Sequence, residues 1–438
     1  MAYAEFVHLH NLTEYSLLRS ALRVRDLTSF AASQNMSSVA ITDHMNLHGC
    51  IAFYDACCRE GIKPLIGAEL SLEAIAPVTS VDPRDPVTYE VVVIAEDMKG
   101  YEALCEILTR AMFEEGVRAP YVKKEWFEEL AGSWFVLTGG RGGEVCAHCA
   151  KEETAQARDT VAWLAHAAGP GHIYLEVSWH ELEIEREAMP RQIALARSQN
   201  IPLVAANRTL YAAKREGAAV ELLGHIAAGT TVATPGALKP ETNLHCLRPA
   251  DEMIVAFRDL PEAIENTRVI ADQCGVELNV GREYHVPRFP VPKGITPLTH
   301  LETLCEEGAR QRYPGWDSDE PEPRANSGAK LTKKKRKAVE KRMAYEIDVL
   351  GKMGFISYVL IVADFVRHAK GEGIPVGLRG SGGGSFVAHA LDLTDINPIS
   401  YDLLFNRFLD PERREPPDID IDLCEARRED VIDYVREK

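Results

Sequence analysis

Short apolar runs alternate with helical patterns through the first 280 residues. The runs Val39–Thr42, Lys63–Gly67, Glu90–Ala95, Trp134–Thr138 and Ile201–Ala206 have the length and β-branched content of buried strands. Between them, stretches such as 48–60 and 153–168 repeat apolar positions with helical spacing, and 261–274 predicts a closing helix. This βα alternation predicts an α/β fold, a parallel sheet or barrel with its sites at the carboxyl ends of the strands. Pro287–Pro297 is rich in proline and reads as a linker. Asp317–Pro323 is acidic and reads as a solvated loop, and Lys333–Lys337 is a basic block. That block is either a solvated helix start or a contact to a phosphate backbone. Helical periodicity returns over 342–350 and 358–369.

Composition sharpens this outline only at a few points. At 438 residues the chain predicts two or three domains. No apolar run approaches the length that spans a bilayer, and the first residues lack a basic segment followed by an apolar core. Ten scattered cysteines suit a reducing compartment, so a cytoplasmic location is expected. Cys146 and Cys149 flank His148 but have no second pair, which favours small apolar packing over zinc. A net charge of -17 argues against wholesale wrapping of DNA, though not against a local basic groove.

The chemistry concentrates near the carboxyl end. Arg379, Gly380 and Ser381 open a glycine-serine loop that runs to Ser385, with a helix start at Phe386. Such a loop offers backbone amides, hydroxyls and a helix N-terminus to an anion, although it lacks the Gly-Lys-Ser/Thr ending of a Walker loop. Arg407 could add a charge-assisted contact. Asp418, Asp420 and Asp422 alternate with Ile419, Ile421 and Leu423, so in a strand the carboxylates share one side. They form either an acidic strand edge or the seat of two Mg²⁺ ions that activate a hydroxyl and stabilise a pyrophosphate leaving group.

Together with Arg342–Ala369, Val376–Ser385, Thr394–Pro398 and Tyr401–Arg413, these segments resemble the palm of the family C DNA polymerases, the bacterial DNA polymerase III alpha subunits. The resemblance implies an α+β, nucleotidyltransferase-like palm over 341–438, after a linker and basic segment over 286–340. By it, Asp418 and Asp420 are catalytic Mg²⁺ ligands, and Asp422 supports the same strand. Arg379, Gly380, Ser381 and Arg407 would lie along the nucleotide. The loop is one residue shorter than is usual in the family.

The amino-terminal residues complete the resemblance. His8 and His10, then Glu14, His44 and Glu69, stand where the polymerase and histidinol phosphatase (PHP) domain of this family places metal ligands, which implies a distorted (β/α) barrel over 1–285 holding Zn²⁺ or Mn²⁺. Three steps of the pattern depart, at four residues: Glu90 replaces a histidine, Gly140 a cysteine, and Arg208 and Leu210 an aspartate and a histidine. A cation among the ligands predicts a vestigial barrel. The implied activity is templated addition of deoxynucleotides to a primer, with primer-template DNA, deoxynucleoside triphosphates, a sliding clamp and other replicase subunits as partners and no membrane. The family's third catalytic aspartate, thumb and fingers would lie beyond Lys438, so the chain alone is expected not to extend a primer. A barrel phosphoesterase or 3′-5′ exonuclease, and a non-catalytic scaffold, are the alternatives.

Overall fold

The apolar runs of the amino-terminal half become strands in chain order: β1 Ser38–His44, β2 Lys63–Glu73, β3 Thr88–Ala95, β4 Trp134–Leu137, β5 Ile173–Ser178 and β6 Leu203–Ala206. All residues of β4, β5 and β6 are buried, as strands covered on both faces require. Glu176 interrupts the apolar run of β5, which hides that strand from a purely hydrophobic reading. The spatial order equals the chain order. In this computed structural model, residues 4–78, 82, 84–233, 242–279, 286–313, 316, 332–412 and 416–438 are described. The acidic stretch Asp317–Pro323 lies outside them.

The sheet is not wholly parallel, which corrects the expectation from βα alternation. β1–β2, β4–β5 and β5–β6 pair in parallel, whereas β3 runs antiparallel to both β2 and β4. Among the described residues no helix lies between β2 and β3, and two lie between β3 and β4, so neither connection is the single-helix crossover that keeps neighbours parallel. The amino-terminal residues then fill the gap between the first and last strands. Ala40 and Thr42 of β1 donate to the carbonyls of His8 and Asn11, both at 2.9 Å. Thr209, just past β6, donates to His10 at 3.1 Å, and Leu12 donates to Thr209 at 3.0 Å. The sheet thereby closes into a distorted barrel, and His8 and His10 are carried into it.

Residues 1–280 form one unit and 281–438 a second. The second is mainly helical: Pro297–Arg312, Lys333–Lys352, Ile356–Gly371, Phe386–Ala390 and Arg428–Glu437, with a two-stranded antiparallel ribbon of β7 Val376–Arg379 and β8 Asp420–Leu423. Its core gathers Leu301, Leu350, Phe355, Leu360, Phe386 and Phe405. Residues 297–312 are therefore not linker, because Leu301, Cys305 and Ala309 recur at helical spacing and enter this core. No single helix among the described residues is long and apolar enough to cross a membrane.

Gly308 sets how closely Pro297–Arg312 approaches Phe386–Ala390. A Cβ there would lie 1.8 Å from the carbonyl oxygen of Ala390. Alanine ordinarily gains about 1 kcal/mol over glycine inside a helix, but here the overpacking penalty of roughly 1–3 kcal/mol wins. Gly308→Ala is expected to destabilise the second unit by about 2 kcal/mol, read by urea unfolding through Trp316, the only tryptophan after residue 280.

Candidate functional site

Two sites emerge, one in each unit. In the barrel, Glu69 on β2 is fully buried and its carboxylate meets three donors. His10 Nε2 lies 2.8 Å from Oε2, His44 Nδ1 lies 2.9 Å from Oε1, and Arg208 donates from Nε at 2.8 Å and from a terminal nitrogen at 3.0 Å. His10 is shared, since its Nδ1 lies 2.9 Å from Glu176 Oε1 on β5. Arg208 also reaches Glu90 Oε1 on β3, at 3.2 Å. Burial alone would raise the pKa of Glu69, but the charge of Arg208 and the hydrogen bonds from His10, His44 and Arg208 hold it well below the usual carboxylate range. Burial lowers His10, yet Glu176 and then Glu69 outweigh it and bring its pKa up to about 9. For Glu90, burial and then the charge of Glu69 raise the pKa.

Of the expected barrel ligands, His10, His44 and Glu69 are brought together, whereas His8 and Glu14 are not. His8 packs edge-on against Phe6 and Phe30, and its Nε2 lies 2.8 Å from the carbonyl of Arg248. Burial brings its pKa down to about 4, so the ring is neutral. Glu14 is exposed and accepts from the backbone N–H of Val24 at 2.8 Å, closing the first turn of the helix Val24–Ser33. Asp43 is also structural: it accepts from the Thr13 N–H, the Thr13 hydroxyl and the Ser16 hydroxyl at 2.6–2.8 Å.

His44, Glu69 and Glu90 each offer a ligand atom within 4.8 Å of the others, a grouping that could hold a metal ion. The guanidinium of Arg208 is bonded to both carboxylates of that group, so the positive charge they require is already supplied by the chain. As arranged, the donor set does not fit a divalent ion. A cavity of about 240 Å³ adjoins it, lined by Glu90, Arg141, Glu176, His180, Arg208 and His245. Glu176 and His180 have no place in the sequence pattern; only the closure of the barrel brings Glu176 to His10 and His180 to the adjoining cavity. Cys146 and Cys149 are buried, and burial pushes their thiols up to about 12 and about 11. His148 between them is held by Glu144 and Glu153.

The second site lies on the β7–β8 ribbon. Arg379 pairs in register with Asp420, and its guanidinium lies 3.2 Å from carboxylate oxygens of both Asp420 and Asp422. Gly380 follows at φ 73°, and a Cβ there would sit 3.4 Å from Asp420 Oδ2. The ladder begins at Asp420, so Asp418 precedes it. Burial and then the charge of Asp418 raise the phenol pKa of Tyr358. Ser381 and Arg407 are exposed, Arg407 on a short 3-10 turn over Phe405–Arg407.

The helix start after the loop does not serve as the expected anion cradle. Glu346, fully buried on the helix Lys333–Lys352, accepts from the Ser385 hydroxyl at 2.8 Å and from the N–H groups of Phe386 and Val387 at 2.9 and 3.0 Å. Arg342 binds the same carboxylate at 2.6 Å and donates to the carbonyls of Gly384 at 2.9 Å and Leu403 at 3.0 Å. The donors of the helix N-terminus are consumed inside the protein. What remains available is the loop entry, Arg379 to Ser381. Glu346 carries no sequence signal beyond being a carboxylate on a buried helical face, four residues after an arginine.

Residues 8–180 match the PHP domain family, and residues 299–438 match the bacterial DNA polymerase III alpha NTPase domain. Along its length the chain is similar to curated proteins named DNA polymerase III subunit alpha. That of Pseudomonas fluorescens is 34% identical over 443 residues, covering 99% of this chain and 36% of that protein. That of Pseudomonas aeruginosa is 35% identical over 438 residues, covering 98% and 35%, and that of Escherichia coli K12 is 33% identical, covering 99% and 36%. The chain thus spans little more than a third of the length of these relatives.

Three outcomes follow for the barrel. Arg208→Met leaves Glu69 buried without its main counter-charge and is expected to cost about 3–5 kcal/mol in urea unfolding; elemental analysis of the dialysed wild-type chain should find less than one tightly bound zinc or manganese, and two or more would refute the assignment. His10 has a folded pKa above its unfolded value near 6.5, so its stabilisation is complete below that pH and is lost as pH rises through about 9. In His10→Gln the fall in stability between those values should shrink by roughly 3 kcal/mol, measured by chemical denaturation at stepped pH.

Proposed function

We propose that this chain, which resembles the amino-terminal portion of bacterial DNA polymerase III alpha subunits, contributes a non-hydrolytic PHP barrel and part of a nucleotide-addition site to a templated DNA polymerase. The observation that carries the reading is the β7–β8 ribbon. It sets Arg379 and Gly380, where a triphosphate would be gripped, directly against Asp420 and Asp422. Two elements 41 positions apart, from Arg379 to Asp420, thereby become one surface.

The carboxylates suit a hard cation. Asp418, Asp420 and Asp422 offer only oxygen donors, and two of them already share a positive partner in Arg379. Asp418 and Asp420 are the residues that would hold Mg²⁺, which would supply charge for a triphosphate and acidify a primer hydroxyl. Arg379 is positioned to leave its aspartates for phosphate oxygens, a stronger charge-assisted partner. Gly380, with no Cβ, lets a phosphate approach the backbone beside Asp420. Ser381 adds an exposed hydroxyl and Arg407 an exposed guanidinium. Arg342 and Glu346 hold the far end of the loop rigid while its entry stays open.

On this reading the substrates are deoxynucleoside triphosphates and primer-template DNA. Its partners are a sliding clamp and other replicase subunits, and its place is the cytoplasm. Hydrolysis in the barrel is disfavoured, because Arg208 holds the charge that would otherwise assemble a metal cluster.

Calorimetric titration with dATP tests the reading. Asp418→Asn and Asp420→Asn should each weaken the Mg²⁺-dependent part of the affinity by tenfold or more and leave the Mg²⁺-free part unchanged. Arg379→Ala should weaken both. Binding that is indifferent to all three substitutions would overturn the assignment.

A further inference from the structure

The helix Lys333–Lys352 has an inner and an outer face of opposite kinds. Inward, Val339, Glu346, Ile347 and Leu350 are buried. Arg342 is turned onto Glu346 and the loop carbonyls. Arg336 is likewise engaged, 2.9 Å from Glu340 and 5.4 Å from the Trp316 ring. Outward, Lys334, Lys337 and Lys341 are exposed, and among the described residues none has a carboxylate partner. Positions i, i+3 and i+7 share one side of a helix, so the three ammonium groups form a stripe.

Local physics works against this arrangement. Like charges three and four residues apart repel, and cations in the first turns oppose the helix dipole. The chain as a whole carries a net charge of -17, so a stripe of cations with no carboxylate partner among the described residues is not a consequence of composition. The stripe continues into Tyr345, 44% exposed, whose hydroxyl lies 3.3 Å from Asn406 Oδ1, next to Arg407. At 1.5 Å rise per residue, Lys334 to Lys341 covers about 10 Å of helix axis. That is the axial span of roughly three phosphates of one strand of duplex DNA.

We propose that Lys334, Lys337 and Lys341 form a track for a nucleic-acid backbone that leads past Tyr345 to Arg407. The assignment rests on the ribbon being a nucleotide-addition site, since that gives the track its destination. Arg342 and Glu346 lie on the same helix, so the element that holds the loop also carries the strand. The contacts are to phosphate, which makes the track indifferent to sequence. The partner is primer-template DNA rather than an acidic protein, because the stripe ends at an aromatic ring and at Arg407, on a turn packed against the glycine loop that follows β7.

The test is fluorescence anisotropy with a labelled primer-template across a sodium chloride series. Lys334→Gln/Lys337→Gln/Lys341→Gln should weaken binding at least tenfold at low salt and flatten the plot of log K against log salt by about 2 to 3. A control triple at exposed lysines elsewhere, Lys99→Gln/Lys151→Gln/Lys293→Gln, should change neither. An unchanged slope in the first variant overturns the track, as does a poly-glutamate peptide that binds with the same dependence on the three lysines and displaces the DNA. Titration of dATP into the same variant separates the two readings. Retained Mg²⁺-dependent dATP affinity with unchanged DNA binding leaves the ribbon standing and removes the track. Lysine-dependent DNA binding in a chain whose dATP affinity ignores Asp418 and Asp420 removes the ribbon's role and leaves the track.

Discussion

A carboxylate taken out of water must be met by donors or it will not stay charged, and each half of this chain is organised around one that is. Removing an ion from water costs several kcal/mol even after relaxation, so each site recruits partners from distant parts of the chain. Glu69 draws His10, His44 and Arg208. Glu346 draws Arg342, Ser385 and two helix amides. In the barrel the recruited groups come from residues 10 to 208, so the constraint and the closure of the sheet are the same fact seen twice. In the second unit it fixes a glycine-rich loop that would otherwise have little to hold it.

Glu69 and the ribbon aspartates Asp420 and Asp422 have opposite consequences for chemistry. At Glu69 the counter-charge is Arg208, largely buried with it, and it cannot be exchanged for an ion without breaking the site. At Asp420 and Asp422 the counter-charge is Arg379, 64% exposed at its side chain, and exposed ion pairs are cheap to exchange. A buried fixed cation makes a structural site, and an exposed movable one makes a site that can take substrate. This difference in burial separates the barrel cluster, closed by its own arginine, from the ribbon that we propose as a nucleotide site.

Much of this was legible in the residues. Apolar runs marked five of the six barrel strands, and the alternation put Asp420 and Asp422 on one side before any register was known, whereas Asp418 falls before the ladder. The substitution at Arg208 told against a metal cluster, because a guanidinium among acids is a charge argument that needs no coordinates. Other points were not legible. His8 and His10 look equivalent in a strand, but packing against Phe6 and Phe30 sends one into an apolar pocket while the other meets two carboxylates. Glu14 looks like a ligand and instead closes a helix. The direction of β3 depends on what connects it, not on its composition. Ser385 and the helix start it precedes look ready for an anion, and only the position of Glu346 reveals that they are already used.

The sequence by itself determined which residues could carry charge, which runs had to be buried, and which segments resemble a known polymerase family, because these follow from side-chain chemistry and local spacing. Only the tertiary structure decided which charges are answered from within. Arg208 reaches across 139 positions to Glu69, Glu346 across 39 to Ser385, and Arg379 across 43 to Asp422. Electrostatic partners act through space, and distance in space is what folding sets.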